Sequence, residues 1–260
     1  KDVLTIYQGL GNSQKHQLER TPNYKHFLDW KADQDEVSAQ HYWQSILTGK
    51  ASPLFADYAS NAASQQGFQD ITINPNSSDI VSLQAKIQGE RLTLNTVLQG
   101  LWMLTLGSYF GEHQVSTGLT VTGRACDFTG IDRITGLLMN VLPFQKRIAP
   151  GQSLISWLHE LQVSLNELRP FEHTDPDQIQ AWTQSFTRPF FDNLFVFGNF
   201  MSEKLLLGDL EVAEFKGDFS ATFPLTIRVN PGSEFEINCR YDSSVVPGKS
   251  AEWLMSTYQD

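Results

Sequence analysis

Cysteine is scarce in this chain, and the two present, Cys126 and Cys239, lie far apart. That spacing makes neither a metal motif nor a disulfide framework, and it fits two reduced thiols in a cytoplasmic protein. No CxxC, GxSxG, HExxH or P-loop occurs, which removes the usual redox, hydrolase, metalloprotease and nucleotide readings. Long apolar runs are missing as well. No stretch reaches the roughly 18 residues a membrane helix needs. The N-terminal KDVLTIYQGLG lacks the apolar core of a signal peptide. Basic charge is sparse: 19 Lys and Arg stand against 29 Asp and Glu, for a net charge of −10. With no basic block, neither nucleic acid nor an anionic membrane is expected as a partner. Internal repeats and low-complexity tracts are absent. So is an initiator Met, and the chain reads as a segment of a longer polypeptide.

What is present supports a sizeable core: 40% of the 260 residues are apolar and 12% aromatic. Residues 1–20 are polar and are expected to form a loosely ordered lead-in. Helical spacing predicts a helix over 35–48, ended by Gly49, then a long loop over 50–68. DITINP, 70–75, is a short strand closed by Pro75, and Ser77 or Ser78 is placed to cap a helix reaching about Gln88. The clearest helix is 94–109, with Thr93 as N-cap and Gly111 beyond its end; it is apolar nearly all round and should be buried. A strand over 114–123 breaks at Gly123, and a polar loop over 124–134 follows. After a strand at 139–148, Ser153 caps a helix to Leu168 that Pro170 stops. Asp175-Pro176 opens a short helix through Trp182. A buried strand at 192–200, a hairpin of 223–230 with 235–242, and a closing helix at 250–258 complete the chain. The expected class is α/β (α+β), a mixed sheet flanked by helices in one domain over 1–260.

Residues 135–148, TGLLMNVLPFQKRI, are the most informative stretch. A Gly-bearing entry leads into an apolar strand that carries one amide, Asn140. Such a side chain is costly unless its hydrogen bonds are met, so a neighbouring segment or a substrate should meet them. Gly123 permits a turn or a close backbone approach. Arg124 suits either a salt bridge or a phosphate. His173 lies near Glu172 and Asp175, but the Glu-His-Thr-Asp run is better read as capping the 175–182 helix. The tryptophans at 30, 43, 102, 157, 182 and 253 fall on apolar helical faces and read as core, with Trp30 also open to a functional role.

Several blocks then occur in the order of one family. NYKHFLDW (23–30), HYWQSILTG (41–49), the run from Leu92 to Arg124, TGLLMNVLP (135–143), RPFEHTDPDQIQAW (169–182) and FDNLFVFGNF (191–200) resemble blocks of nonribosomal peptide synthetase condensation domains. The chain has Val141 where that family often has Thr, and Leu138 where it often has Phe. These blocks belong to the C-terminal half of such a domain. The resemblance implies a chloramphenicol-acetyltransferase-like lobe whose N-terminal lobe is not included in this chain. Residues 125–134 match the family's floor loop beneath the tunnel.

The resemblance implies substrate-tunnel positions at Trp30, Thr122, Gly123, Arg124, Gly136 and Asn140. It implies no catalytic residue here, because none of the six histidines stands in the family's HHxxxDG motif. No metal and no directly bound cofactor are implied. The phosphopantetheine arms of peptidyl carrier protein domains would deliver the substrates, with the N-terminal lobe and an adjacent adenylation domain as further partners. The expected reaction of the intact domain is amide formation between carrier-tethered thioesters. The alternatives are an epimerisation or cyclisation variant, or a non-catalytic carrier-binding module.

Overall fold

The computed structural model describes residues 6, 21–48, 54–55, 67–183, 190–198, 206–207, 210–211, 223–232 and 235–260. The lead-in (apart from residue 6), Gly49 and most of the 50–68 loop lie outside the described residues.

Capping chemistry sets most helix starts. Helix α1 (Tyr24–Ala32) begins where the Asn23 side chain accepts from the Lys25 amide at 2.9 Å. Periodicity did not predict this helix. Helix α2 (Glu36–Ile46) begins at Asp35, whose carboxylate takes the amides of Val37 and Ser38. Strand β1 spans Phe68–Ile73. Helix α3 (Ser77–Gly89) starts after Asn76, not at a serine cap, and Asn76 makes no side-chain cap bond. Helix α4 (Leu94–Phe110) starts as expected at Thr93, which accepts from Thr96, and ends at Gly111 with φ +67°. Strand β2 (Gln114–Val121) and strand β3 (Asn140–Arg147) follow. Ser153 caps helix α5 (Leu154–Leu168), and helix α6 (Pro176–Trp182) carries proline in its first turn. Strand β4 (Asn193–Phe197), a two-residue ladder of β5 (Leu206–Leu207) with β6 (Leu210–Glu211), strand β7 (Leu225–Pro231), strand β8 (Phe235–Asp242) and helix α7 (Gly248–Gln259) complete the described elements.

The main sheet has the order β1-β8-β7-β4-β2-β3. Its middle pairs, β7 with β4 and β4 with β2, are parallel; the pairs toward both edges are antiparallel. The sheet is therefore mixed, as predicted. Helix α4 packs on α5, α7 and β2, while α2 and α6 pack on each other and α6 on β3. The register sets Val121 at the end of β2 opposite Asn140 at the start of β3. Everything that matters below gathers at that corner.

The main core centres on α4. Trp102, Met103 and Leu106 are fully buried, which fits a helix apolar on nearly every face. A second, smaller core joins Phe27 of α1 to Cys126, Ile131, Ile134 and Leu138. Residues 124–134 are thus not simply a polar loop; their apolar side chains turn inward. Trp43, Trp102 and Trp157 are buried core residues as expected. Trp253 corrects that expectation at 42% exposed, its ring lying against Tyr109. Cys126 and Cys239 are both buried free thiols. Among the described residues no helix is long and apolar enough to cross a membrane.

Leu106 has no exposed surface. Leu106→Ala should lower unfolding free energy in urea by roughly 2–5 kcal/mol, the sum of lost transfer and cavity terms. A loss under about 1 kcal/mol would mean that this helix face collapses around the void.

Candidate functional site

The site begins where β2 runs out. Gly123 has φ +66°, and a Cβ there would overlap the carbonyl oxygen of Leu138. Only glycine allows the two backbones to pass so closely. Gly136 meets a similar limit, because a side chain would strike the Tyr24 ring. Tyr24 in turn donates from its hydroxyl to the Leu137 carbonyl at 2.7 Å. The loop after β2 is closed by Arg124, whose guanidinium donates to the carbonyls of Ile131 and, at 3.1 Å, Ile134. Its fork is directed at carbonyls of its own loop. Thr122 accepts from the Arg124 amide at 3.3 Å. Trp30 stacks on Phe27 and meets Phe128 and His173 edge-on, so it tiles the second core to the 172–174 segment.

Asn140 fastens a third strip of chain to this corner. Its Nδ2 donates to the carbonyls of Glu172 at 3.0 Å and Thr174 at 2.7 Å, and its Oδ1 accepts from the Val141 amide at 2.9 Å. A neighbouring segment therefore satisfies this amide. The captured strip carries Glu172 and Thr174, both buried, with His173 between them. Thr174 accepts from the Trp43 indole at 3.1 Å. Asp175 stands at the N-cap position of α6 but makes no cap bond; it pairs with Lys31 at 2.5 Å instead. The capping expected of this run is thereby corrected. Burial holds the His173 imidazole below its ordinary pKa, favouring the neutral ring.

Glu172 is 7% exposed, and its carboxyl faces the backbone amides of Gly123 and Ala125. Burial raises its pKa, and those amides, with Arg169, oppose the rise. The group borders a cavity of 460 Å³ between the first turns of α4, the end of β2, the last turns of α5, and β4. Thr122, of the residues expected at the site, also borders it. Leu119, Leu165, Phe195 and Phe197 give it an apolar wall. Asn95, Gln99 and Glu172, which border it, each carry a buried side-chain atom without a protein partner, as do residues elsewhere in the fold such as Trp102 and Thr226. Gln162 joins α5 to the start of α4, accepting from Thr93 and Thr96 and donating to Arg91.

A larger groove of 620 Å³ lies beside α5, but its polar groups are already in use. Lys146 there donates to Ser164 at 3.0 Å, and Glu160 accepts from Gln152 at 2.7 Å. The smaller cavity is the better candidate site. Sequence reasoning missed Asn95, Gln99 and Glu172 as site residues. The signal was available for Gln99, a polar residue inside a helix that reads as buried on every side.

A family model described as "Condensation domain" matches residues 1–259. The chain is 28% identical over 262 residues to a linear gramicidin synthase of Brevibacillus parabrevis, covering 98% of this chain and 3% of that protein. It is 26% identical over 253 residues to bacitracin synthase 3 of Bacillus licheniformis, covering 94% of this chain and 4% of that protein. The chain thus spans a small fraction of the length of these relatives. The first condensation domain of the calcium-dependent antibiotic synthetase superposes with a TM-score of 0.76 at 12% identity, over 99% of this chain and 57% of that one. The epimerization domain of the third module of tyrocidine synthetase B gives a TM-score of 0.73 at 17% identity, over 99% and 62%. The six-stranded sheet with its helices is the fold these domains share.

Two Asn140 variants test the corner. Asn140→Ala leaves two carbonyls without their donor and should lower stability by about 1–3 kcal/mol. Asn140→Asp places a carboxylate against the same two carbonyls, which raises its folded pKa above the roughly 3.9 of the unfolded chain. The damage from Asp should therefore be small near pH 4 and grow as pH rises toward about 7. Urea melts of the parent and both variants at each pH measure it; an equal loss from Asp at both would contradict the assigned contacts.

Proposed function

The chain belongs to the condensation-domain family, and we propose that it is the C-terminal half of a nonribosomal peptide synthetase condensation domain. In the intact domain an acceptor amine attacks a donor thioester carbonyl. The amide bond forms, the carbon–sulfur bond breaks, and the thiol leaves on its arm. Both substrates ride on phosphopantetheine arms of peptidyl carrier protein domains. The N-terminal lobe supplies the HHxxxDG histidine as general base, which removes the proton from the attacking amine. The present lobe supplies the floor, one wall and the acceptor-side carrier surface, with an adenylation domain as a further neighbour.

The observation that carries this reading is the meeting of the motif strand and the Glu-His-Thr segment at Asn140, beside the cavity. Two of the family-matching blocks, separate in sequence, become one surface there. In this reading Trp30, Thr122, Gly123, Arg124, Gly136 and Asn140 shape the tunnel mainly by holding backbone in place. Arg124 keeps the floor loop closed, Gly123 and Gly136 let it lie flat, and Asn140 sets the wall. Leu137, 79% exposed, with Met139 and Leu28 at 46% each, stands out of this corner. Such exposed apolar side chains fit burial under a second lobe. The 57% share of the solved condensation domain that the chain spans also supports a half-domain role.

These residues alone should give no dipeptidyl product from two carrier-bound aminoacyl thioesters. The same residues joined to a condensation-domain N-terminal lobe bearing HHxxxDG should give it, measured by mass spectrometry of the acceptor carrier. Product from the chain alone would overturn the half-domain reading. A product that is only the inverted stereoisomer of an unextended substrate would establish epimerisation in place of amide formation.

A further inference from the structure

The cavity beside Glu172 is bordered by several polar residues, but few of their polar atoms are free to meet an occupant. The unpaired atoms of Asn95, Gln99 and Glu172 are themselves buried and present no surface to the cavity. Gln162 uses both ends of its amide within the chain, accepting from Thr93 and Thr96 and donating to Arg91. The hydroxyls of Thr93 and Thr96 bond to each other at 2.7 Å. Thr122, Asn166 and Arg169 are exposed and stand at the solvent edge of the lining. What remains for contact inside is largely carbon. Val121 at the end of β2, Leu165 on α5 and Phe197 at the end of β4 are each half-buried, so they offer surface to the space. Thr120, also half-buried, brings a methyl group with its hydroxyl. Leu119 and Phe195 extend the same wall and are almost wholly buried. Three separate elements thus build one apolar wall, whereas the groove beside α5 follows the face of that single helix with Lys146 alongside.

We propose that this cavity receives an apolar side chain. A polar side chain entering it would leave water and find its hydrogen bonds largely unanswered, which is costly. An apolar one gains from leaving water roughly in proportion to the area it buries. The volume, 460 Å³, is that of a small-molecule site and leaves room for the side chain with the backbone that carries it. Resting on the function proposed above, the same chemistry names a substrate class: an aminoacyl unit with an apolar side chain, with Val121, Leu165 and Phe197 as specificity-determining residues. Selection of this kind separates apolar from polar side chains well and aliphatic side chains of similar size poorly, because no paired hydrogen bond distinguishes the latter.

The test uses the whole chain and two uncharged probes of nearly the same shape, N-acetyl-leucine methylamide and N-acetyl-asparagine methylamide, titrated by saturation-transfer NMR. The leucine probe should bind at least about tenfold more tightly, the gain expected from burying its side chain. Leu165→Gln should weaken the leucine probe by about fivefold, and Leu165→Met, which keeps the apolar surface, should bind it as the parent does. Near-UV circular dichroism reports that each variant keeps the fold. Equal binding of the two probes, no binding of the leucine probe, or a folded Leu165→Gln variant that binds it as the parent does would overturn the proposal. The comparison of the two probes needs no variant, so it decides even if a substitution unfolds the chain. In the rejoined domain, a leucyl unit should turn over at least about tenfold faster than an asparaginyl one. An inactive rejoined domain that still prefers the leucine probe would count against the proposed function and not against this site. An active domain that prefers neither unit and neither probe would remove the present inference alone.

Discussion

The arrangement at this corner depends on the hydrogen bonds of one amide. Asn140 stands at the first position of β3, and its register opposite Val121 is fixed by the β2–β3 ladder. From that fixed point its Nδ2 reaches two carbonyls of the 172–174 strip. A primary amide suits this task, since one nitrogen carries two donors with a fixed angle between them. Capturing alternate carbonyls sets both the position and the twist of the strip. Glu172 then points back toward Gly123 and Ala125, and Thr174 toward Trp43. The cavity wall is thus set by a sheet register, carried through one side chain to a stretch without regular structure of its own.

The loop after β2 faces a related problem. It cannot use the sheet ladder, yet its backbone groups must be satisfied. Arg124 meets this by donating to two loop carbonyls, Ile131 and Ile134. The same two residues turn their side chains into the second core with Phe27 and Leu138. Backbone closure and side-chain burial therefore reinforce each other, and they also explain α1. That helix buries only Phe27, so its packing is on the loop, with Tyr24, Phe27 and Trp30 forming a short aromatic row.

This division accounts for what could be read from the chain and what could not. Helices α4 and α5 were legible because their determinants are local: Thr93 and Ser153 as caps, Gly111 as a stop, and dense apolar content between. Asn140 was legible as a cost that some neighbour must meet. Which neighbour was not legible, since the 172–174 strip comes near only through tertiary packing. Helix α1 was missed for the same reason; NYKHFLDW has little periodicity, and its stability comes from a loop about a hundred residues along. Asp175 was read as a cap because sequence neighbours are all a sequence offers, whereas its partner is Lys31. Glu172 was passed over as part of that capping run, although its carboxyl serves the end of β2.

The polar groups of this lobe fall into two sets. Asn140, Arg124, Gln162 and Thr174 each have protein partners for the bonds that hold their elements together. Asn95, Gln99 and Glu172 each present a buried atom without one. Folding alone gives no reason to keep such atoms, since burying an unpaired polar group opposes stability where an apolar side chain of similar shape would not. That cost is spread over the fold, since Trp102, Asp192, Asn193 and Thr226 carry such atoms as well. The satisfied set is therefore what defines the frame: Asn140, Arg124 and Gln162 fix the strip, the loop and the helices that border the cavity, and so place its apolar wall of Leu119, Leu165, Phe195 and Phe197.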